Sequence, residues 1–551
     1  MRIIKRILCT VLLCVLLMVE MAPLPALAYS DTQGSWAAEM IDRARDYGLI
    51  TGYPDGSFGV GREISRAEFV TIVCRMFGWE EVTPAAPSFS DCPAGHWAYP
   101  YVETALAHDV LDAGGAFRPE DYISRGEMAE MLVRALGYDT LAQSLSQAAL
   151  PFDDVTEDRG YISIAYHIGM ITGIESGGAL HFKPGFSAKR EEAAAMLVRV
   201  YERYISRVDW LHGFYAFSSY SQIALTDEMD AVSVGWARLE YDPASGAVIN
   251  STSANGNEWV RPSDPTPATD YFQGNQTPYN LNVYADCTKT ITLEDGSTTS
   301  VVEAVLSSEE SRTQAAQAIA AAAGEYAGIT VDFEGLKGET IKAAYPDFMA
   351  KLRQALPEDK TLYVCVQPDT WYTGFDYRAL GEVCDKVILM AHDYQWTSVP
   401  EDYVGTTNTN SPVTPLPDIY QALVDITDEE IGVQDRSKIA LAISFGTAGF
   451  HVDEEGRLLE TTIYHPAQDT LAKRLAQSDT TVTYSETYRN PCASYTTEDG
   501  SRYLVWYEDA QSVSDKIQLA KLFGITGVSV WRLGNIPTYD NYDVWAAILA
   551  Q

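Results

Sequence analysis

At 551 residues the chain is too long for one ordinary domain, and 46% hydrophobic with 21% charged residues is a globular composition with a large core. A net charge of −37 argues against nucleic acid, whose binders carry basic patches, and fits an acidic, soluble surface. The N-terminus places Arg2, Lys5 and Arg6 before an apolar run from Ile7 to Met18, then Ala26-Leu27-Ala28. This order predicts a secretory signal peptide over residues 1–28, cut before Tyr29, with a retained anchor as the alternative that the short apolar run and Glu20 argue against. No other stretch is long enough to span a bilayer, so the mature chain is expected to be exported and free of the membrane. Cys9 and Cys14 fall in the signal, and Cys74, Cys92, Cys287, Cys365, Cys384 and Cys492 are scattered without C-x-x-C or metal-ligand spacing. They read as core thiols, with a disulfide or two left open, and no metal site or cofactor is implied.

Internal repetition follows. One copy, over residues 29–80, carries Ser35-Trp36-Ala37, Gly48-Leu49-Ile50-Thr51-Gly52-Tyr53-Pro54-Asp55-Gly56 and Ile64-Ser65-Arg66-Ala67-Glu68. A second, over 88–140, carries His96-Trp97-Ala98, Gly114-Gly115-Ala116-Phe117 and Ile123-Ser124-Arg125-Gly126-Glu127. A third, over 151–205, has Tyr161-Ile162 where the others have Trp, a glycine loop from Gly173, and Lys189-Arg190-Glu191-Glu192. Ser65 and Ser124 with the Glu three residues on predict capping boxes at helix N-termini. The Arg between them adds a cation beside free backbone N–H groups, a suitable place for an anion.

Three such copies resemble the S-layer homology (SLH) domain. The resemblance implies an all-helical three-repeat unit whose grooves bind a pyruvylated secondary cell-wall polysaccharide, with Arg66, Arg125 and Arg190 facing the acidic sugar. A purely structural bundle is the alternative.

From about Val208 strands alternate with helices, predicting an α/β domain over 208–551. Candidate strands are Leu211–Tyr220, Ala231–Trp236, Asn282–Ala285, the stretch after Tyr326, Leu362–Gln367, Lys386–Ala391, Ile439–Phe445 and Gly527–Trp531. Glu258 to Asn280 reads as a surface loop or insertion, and Ser308 to Tyr326 as a helix. Eight strands over this length predict a (β/α)8 TIM barrel with insertions.

The fourth strand carries Ala327-Gly328-Ile329-Thr330-Val331-Asp332-Phe333-Glu334-Gly335. Alternation puts Gly328, Thr330, Asp332 and Glu334 on one face and Ile329, Val331 and Phe333 on the other. Two carboxylates this close do not ionise independently, so one is expected to keep its proton near neutral pH, as a general acid must.

This run resembles the D-G-x-x-x-D-x-E signature of glycoside hydrolase family 18, with Ala327 in place of the first acid. The resemblance implies that Glu334 protonates the glycosidic oxygen, while Asp332 positions the substrate's acetamido group, which acts as nucleophile. Met390-Ala391-His392-Asp393 resembles the family's M-x-Y-D, implying that Asp393, Met390 and His392 help hold that group, with His392 in the Tyr position. A lone strand-end His can equally be structural. Trp531 resembles the aromatic floor under the −1 sugar. Val505-Trp506-Tyr507-Glu508-Asp509-Ala510 with Ser512 and Lys516 resembles the spore-cortex and cell-wall branch, and Glu508 either lines the site or caps the following helix.

These resemblances imply a secreted enzyme held at the cell wall or S-layer surface. It would hydrolyse a β-linked N-acetylglucosamine polymer, peptidoglycan or chitin, needing no cofactor and binding no nucleic acid. The alternative is a wall-anchored, lectin-like binding protein that has lost catalysis. The retained Glu334 separates the two.

Overall fold

The computed structural model describes residues 29–293 and 295–551, so the expected signal peptide over 1–28 lies outside the described residues. Among them no helix is long and apolar enough to cross a membrane. The chain divides into two compact units. One draws on residues up to Tyr138, Ala149–Ile162 and Met170–Tyr201, and the other on Asp139–Ala148, Ser163–Gly169 and Glu202–Gln551.

The first unit is built on three equivalent helices, α1 (Arg66–Phe77), α2 (Arg125–Ala135) and α3 (Arg190–Tyr204). Ser65 and Ser124 accept from the amides of Glu68 and Glu127 in full capping boxes. Before α3 the hydroxyl is gone, and only the return bond survives, from the Lys189 amide to Glu192 Oε2 at 3.0 Å. The segments entering these helices join in a ring of backbone bonds. Ile123 N donates to Ile64 O, Ala188 N to Ile123 O and Ile64 N to Ala188 O, at 3.0–3.2 Å. Asp31, Asp91 and Asp154 each accept from the amides of the following loop, at Phe58, Phe117 and Phe182. The all-helical expectation is corrected by a short antiparallel hairpin, Ile174–Ser176 with Ala179–His181. Its turn is Gly177-Gly178, both at positive φ, which lets two residues reverse the chain.

The second unit is a closed barrel of eight parallel strands. They are β1 (Trp210–Tyr215), β2 (Ala231–Asp242), β3 (Tyr279–Asp286), β4 (Gly328–Glu334), β5 (Thr361–Val366), β6 (Lys386–Leu389), β7 (Ile439–Ser444) and β8 (Gly527–Trp531). Each pairs with the next in parallel, and β8 pairs with β1 to close the ring. These strands are buried on both faces, which is why they read as near-continuous apolar runs. Helix α4 (Glu309–Ala322) leads into β4 and α5 (Glu339–Ala355) leaves it. Phe333 points outward from β4 and stacks on Tyr345 and Phe348 of α5, ring centroids 5.8 and 5.5 Å away. Burying that ring contributes about 1.5–3 kcal/mol and fixes the strand's inner face by elimination.

The expected loop from Glu258 to Asn280 contains a helix, Thr266–Asn275, and the first residues of β3. Helix starts at a Pro-Thr-Pro sequence had masked it. Between β7 and β8 the chain makes a five-stranded antiparallel sheet, ordered Leu458–Tyr464, Ala448–Val452, Arg502–Trp506, Asn490–Thr496, Thr481–Ser485. It packs its own core around Phe450, Trp506 and Leu458. All six described cysteines are free, five of them buried.

Candidate active site

β4 delivers Asp332 and Glu334 to the C-terminal mouth of the barrel, where barrel sites form. Asp332 is 1% exposed. Its Oδ2 accepts from Asn282 Nδ2 of β3 at 3.3 Å, and its Oδ1 is buried with no partner. Burial pushes the Asp332 carboxyl above the usual range, with Asn282, the Cys365 thiol and His392 pulling the other way. Glu334 is raised further, by burial first and then by the charges of Asp332, Asp393 and Asp286. It is the member of the pair that keeps a proton at neutral pH. After it the chain turns at Gly335, φ +76°, whose amide donates to Gln367 Oε1 of the β5 loop at 2.6 Å. That bond fixes where the acid ends.

Residues from β3 complete the wall. In the parallel register Tyr284 lies opposite Asp332 and Asp286 opposite Glu334. Tyr284 donates to Asp286 Oδ2 at 3.1 Å, and the amides of Thr288 and Lys289 donate to Asp286 Oδ1 at 2.7 and 2.9 Å. Burial opposes charge on Asp286, but these donors win and hold its pKa low. Burial and the neighbouring Glu334 raise that of the Tyr284 phenol. Tyr284, Asp286, Glu334, Gly335, Lys337 and Gln367 are among the residues lining a cleft of about 470 Å³.

β6 supplies the far side. Met390 is buried in an interior cluster with Phe214, Cys365 and Ile388, against which Trp531 packs. His392 Nδ1 sits 2.9 Å from Asp393 Oδ2. A carboxylate only accepts, so Nδ1 carries the proton, and His392 Nε2 is left buried without a partner. Asp393 adopts a left-handed backbone, φ +62°, with a largely exposed carboxylate close enough to Glu334 to act on its charge. Burial of its surroundings opposes ionisation, yet His392 and then His465 bring its pKa below the usual value. Trp531 meets Phe214 edge-on at 5.1 Å and Trp259 at 6.1 Å, and Trp259 stacks on Tyr284 at 4.6 Å. An aromatic line therefore runs from the barrel floor to the wall beside the acids.

Thus Asp332, Glu334, Asp393, His392, Met390 and Trp531 come together. Glu508 does not join them. It is 1% exposed and bonds Ser512 Oγ at 2.5 Å, Lys516 Nζ at 2.5 and 2.7 Å, Asn490 Nδ2 at 3.0 Å and the Thr414 hydroxyl. The helix cap is its neighbour Asp509, which accepts from Ser512 N at the start of α6 (Ala510–Leu522). Asn282, Tyr284, Asp286, Trp259 and Gln367 were missed. The first three share one face of β3, and the alternation applied to β4 would have found them. Among the described residues no group of three or more His, Cys, Asp or Glu is placed to hold a metal ion.

In the first unit each predicted Arg lines a separate groove, of about 170 Å³ for Arg125, 190 Å³ for Arg66 and 160 Å³ for Arg190. None is a bare cation. Arg66, Arg125 and Arg190 give Nε to the carbonyls of Phe117, Phe182 and Phe58 at 2.9 Å. They pair with Glu127, with Glu192 at 3.9 Å and with Glu68 at 2.8 Å. Trp36, 66% exposed, lines the Arg125 groove and Trp97, 53% exposed, the Arg190 groove. The Arg66 groove has no Trp and carries Asp112, Glu127 and Glu130.

Residues 296–535 match the family model for glycosyl hydrolases family 18, and residues 28–70 and 88–129 that for the S-layer homology domain. The cortical fragment-lytic enzyme of Bacillus anthracis is 27% identical over 223 residues, 39% of this chain and 47% of that protein. Cell surface glycoprotein 1 of Acetivibrio thermocellus is 35% identical over 156 residues, 24% of this chain and 7% of that protein. The chain spans less than half the length of either. Among solved structures, the Bacillus cereus spore cortex-lytic enzyme SleL aligns with TM-score 0.47 at 18% identity, covering 62% of this chain and 74% of that one. By the family matches, the chain carries a glycosyl hydrolase family 18 domain, with the strand-end acids inside it, preceded by two S-layer homology repeats.

Proposed function

We propose that the protein is a secreted, wall-anchored glycoside hydrolase that cleaves β-linked N-acetylglucosamine polymers with retention of configuration. One observation carries the reading: Asp332, buried, and Glu334, half-buried at the strand end, share one face of β4, both raised in pKa, with Glu334 lining an open cleft. Glu334 gives its proton to the glycosidic oxygen as the C1–O bond breaks. The carbonyl oxygen of the substrate's own acetamido group attacks C1, forming a cyclic oxazolinium. Asp332, whose Oδ1 has no partner in the protein, holds the acetamido N–H, and His392 and Asp393 flank it. Water then attacks C1, losing its proton to Glu334, and the acetamido group is restored. Trp531 supports the sugar from below.

Ala327, where the family signature has an acid, immediately precedes the strand, seven residues before Glu334. At about 3.3 Å per residue that is roughly 20 Å away, so its side chain does not bear on the reacting bond. The anchor reading extends to a third S-layer homology repeat over 151–205, supported by Asp154, Arg190 and Glu192, which repeat the contacts of the first two copies. Its grooves would take an acidic secondary wall polysaccharide, with Trp36 and Trp97 as stacking faces.

Release of reducing ends from N-acetylated peptidoglycan and from chitin oligomers, by wild type beside Glu334→Gln, tests the enzyme. Activity should fall by about 100-fold or more in the variant. No turnover by either, with sugar still bound, would leave a wall-anchored lectin.

A further inference from the structure

Lys337 follows Glu334 by three residues and lines the same cleft. Among the described residues lining that cleft it is the only Lys, Arg or His, and no ion pair engages it. The cleft's own acids do not claim it. Asp286 is committed to Tyr284, Thr288 and Lys289, Glu303 to the cap at Ser300, and Glu334 retains a proton.

The lysine is also held in place. Its loop is stitched to the loop after β5 by Gly374 N donating to Leu336 O at 3.1 Å and Gly338 N to Thr373 Oγ1 at 3.1 Å. The two backbones approach so closely that a Cβ on Gly374 would sit 2.6 Å from the Leu336 carbonyl carbon. From the second loop Tyr372 brings its ring under the Lys337 ammonium, 5.2 Å from the centroid. A positioned, unpaired ammonium beside an aromatic face, next to the acid that would cleave the chain, suits a sugar that itself carries a carboxylate.

We propose that Lys337 recognises a carboxylate on the substrate, so that the cleft prefers an acidic N-acetylated glycan over a neutral one. A sugar whose 3-oxygen bears a lactyl ether fits this chemistry, and a homopolymer of N-acetylglucosamine does not. The inference rests on the glycosidase reading for its kinetic form but not for its binding form.

The test uses peptidoglycan glycan strands stripped of peptide, with free lactyl carboxylates, beside the same strands converted to methylamides. For the full-length protein the acid form should be favoured in kcat/KM by about three- to tenfold, and the preference should shrink as salt is raised. Lys337→Gln should bring the ratio toward one, and Lys337→Arg should restore it. An equal loss on both forms, or no preference in the wild type, would overturn the proposal. Should no strand be cleaved, the same ratio is read as equilibrium binding of the two forms to wild type and Lys337→Gln. A Lys337-dependent preference there upholds the inference while the hydrolase reading falls, and its absence ends both.

Discussion

Asp286 and Glu334 are register partners at the mouth ends of neighbouring parallel strands, one held ionised by its donors and the other held protonated by burial and by the charge beside it. The relation makes Asp286 an electrostatic support for the acid. Asp286→Asn removes one negative neighbour, so Glu334 should lose its proton at lower pH. The alkaline limb of kcat/KM on an N-acetylglucosamine polymer should move down by about half a pH unit. A limb that stays put or moves upward would contradict the assignment.

Stability should respond to the same group in the opposite sense. The folded-state pKa of Glu334 lies above its unfolded value, so between the two the native protein binds more protons than the unfolded chain. Stability therefore falls as pH rises through that window. Glu334→Gln cannot ionise and escapes the loss. At mildly alkaline pH the variant should be the more stable protein, by on the order of 1 kcal/mol, and the two should converge near pH 4. Thermal melts across that range read the difference directly.

Asn282 is the one side-chain amide bonded to Asp332. Asn282→Leu removes the amide donor from a buried carboxylate and leaves it only the Cys365 thiol and the neighbouring His392. Turnover should drop by about 10- to 100-fold, since a hydrogen bond to a charged group contributes about 1.5–3 kcal/mol. The expected signature is a loss in kcat with little change in KM. A rise in KM alone would assign Asn282 to substrate binding instead.

The Glu508–Lys516 pair predicts a pattern of stability rather than of activity. Both side chains are 1% exposed, so Lys516→Met strands a carboxylate among Thr414, Asn490 and Ser512 and should cost about 3–5 kcal/mol. Replacing both, as Glu508→Leu with Lys516→Met, should recover most of that loss. Denaturant melts of the single and double variants compare the two, and a double variant no better than the single would show that the network acts through geometry, not charge.

All eight barrel strands were legible in place because most of them announce themselves as apolar runs, but not in extent. The first ends at Tyr215, where a 3-10 helix over Phe217–Glu228 replaces the expected strand to Tyr220, and the third, broken up by Asn280 and Asn282, already begins at Tyr279. Alternation along β4 gave the correct inner face, since Phe333 has a helix to pack on and Asp332 does not. The sheet between β7 and β8 was not legible. Its strands Leu458–Tyr464 and Thr481–Ser485 are largely half-buried or exposed and interrupted by Glu460 and threonines, so no hydrophobic run marks them. Glu508 was ambiguous for a different reason: only the fold reveals that Thr414 and Asn490, distant in sequence, close around it. In the first unit the Asp at 31, 91 and 154 went unnoticed because Asp is common, and its meaning lies in loop amides more than twenty residues away.

The Arg–Glu contacts run from α1 to α2, from α2 to α3, and from α3 back to α1. Such a circuit has no first or last member. An open solenoid can gain or shed a unit at either end and cap what remains, but deleting any one segment here would leave a cation without its acid at one seam and an acid without its cation at the other. Each of these helix starts is thereby held by both of the others, so a change at one seam is felt at the remaining two.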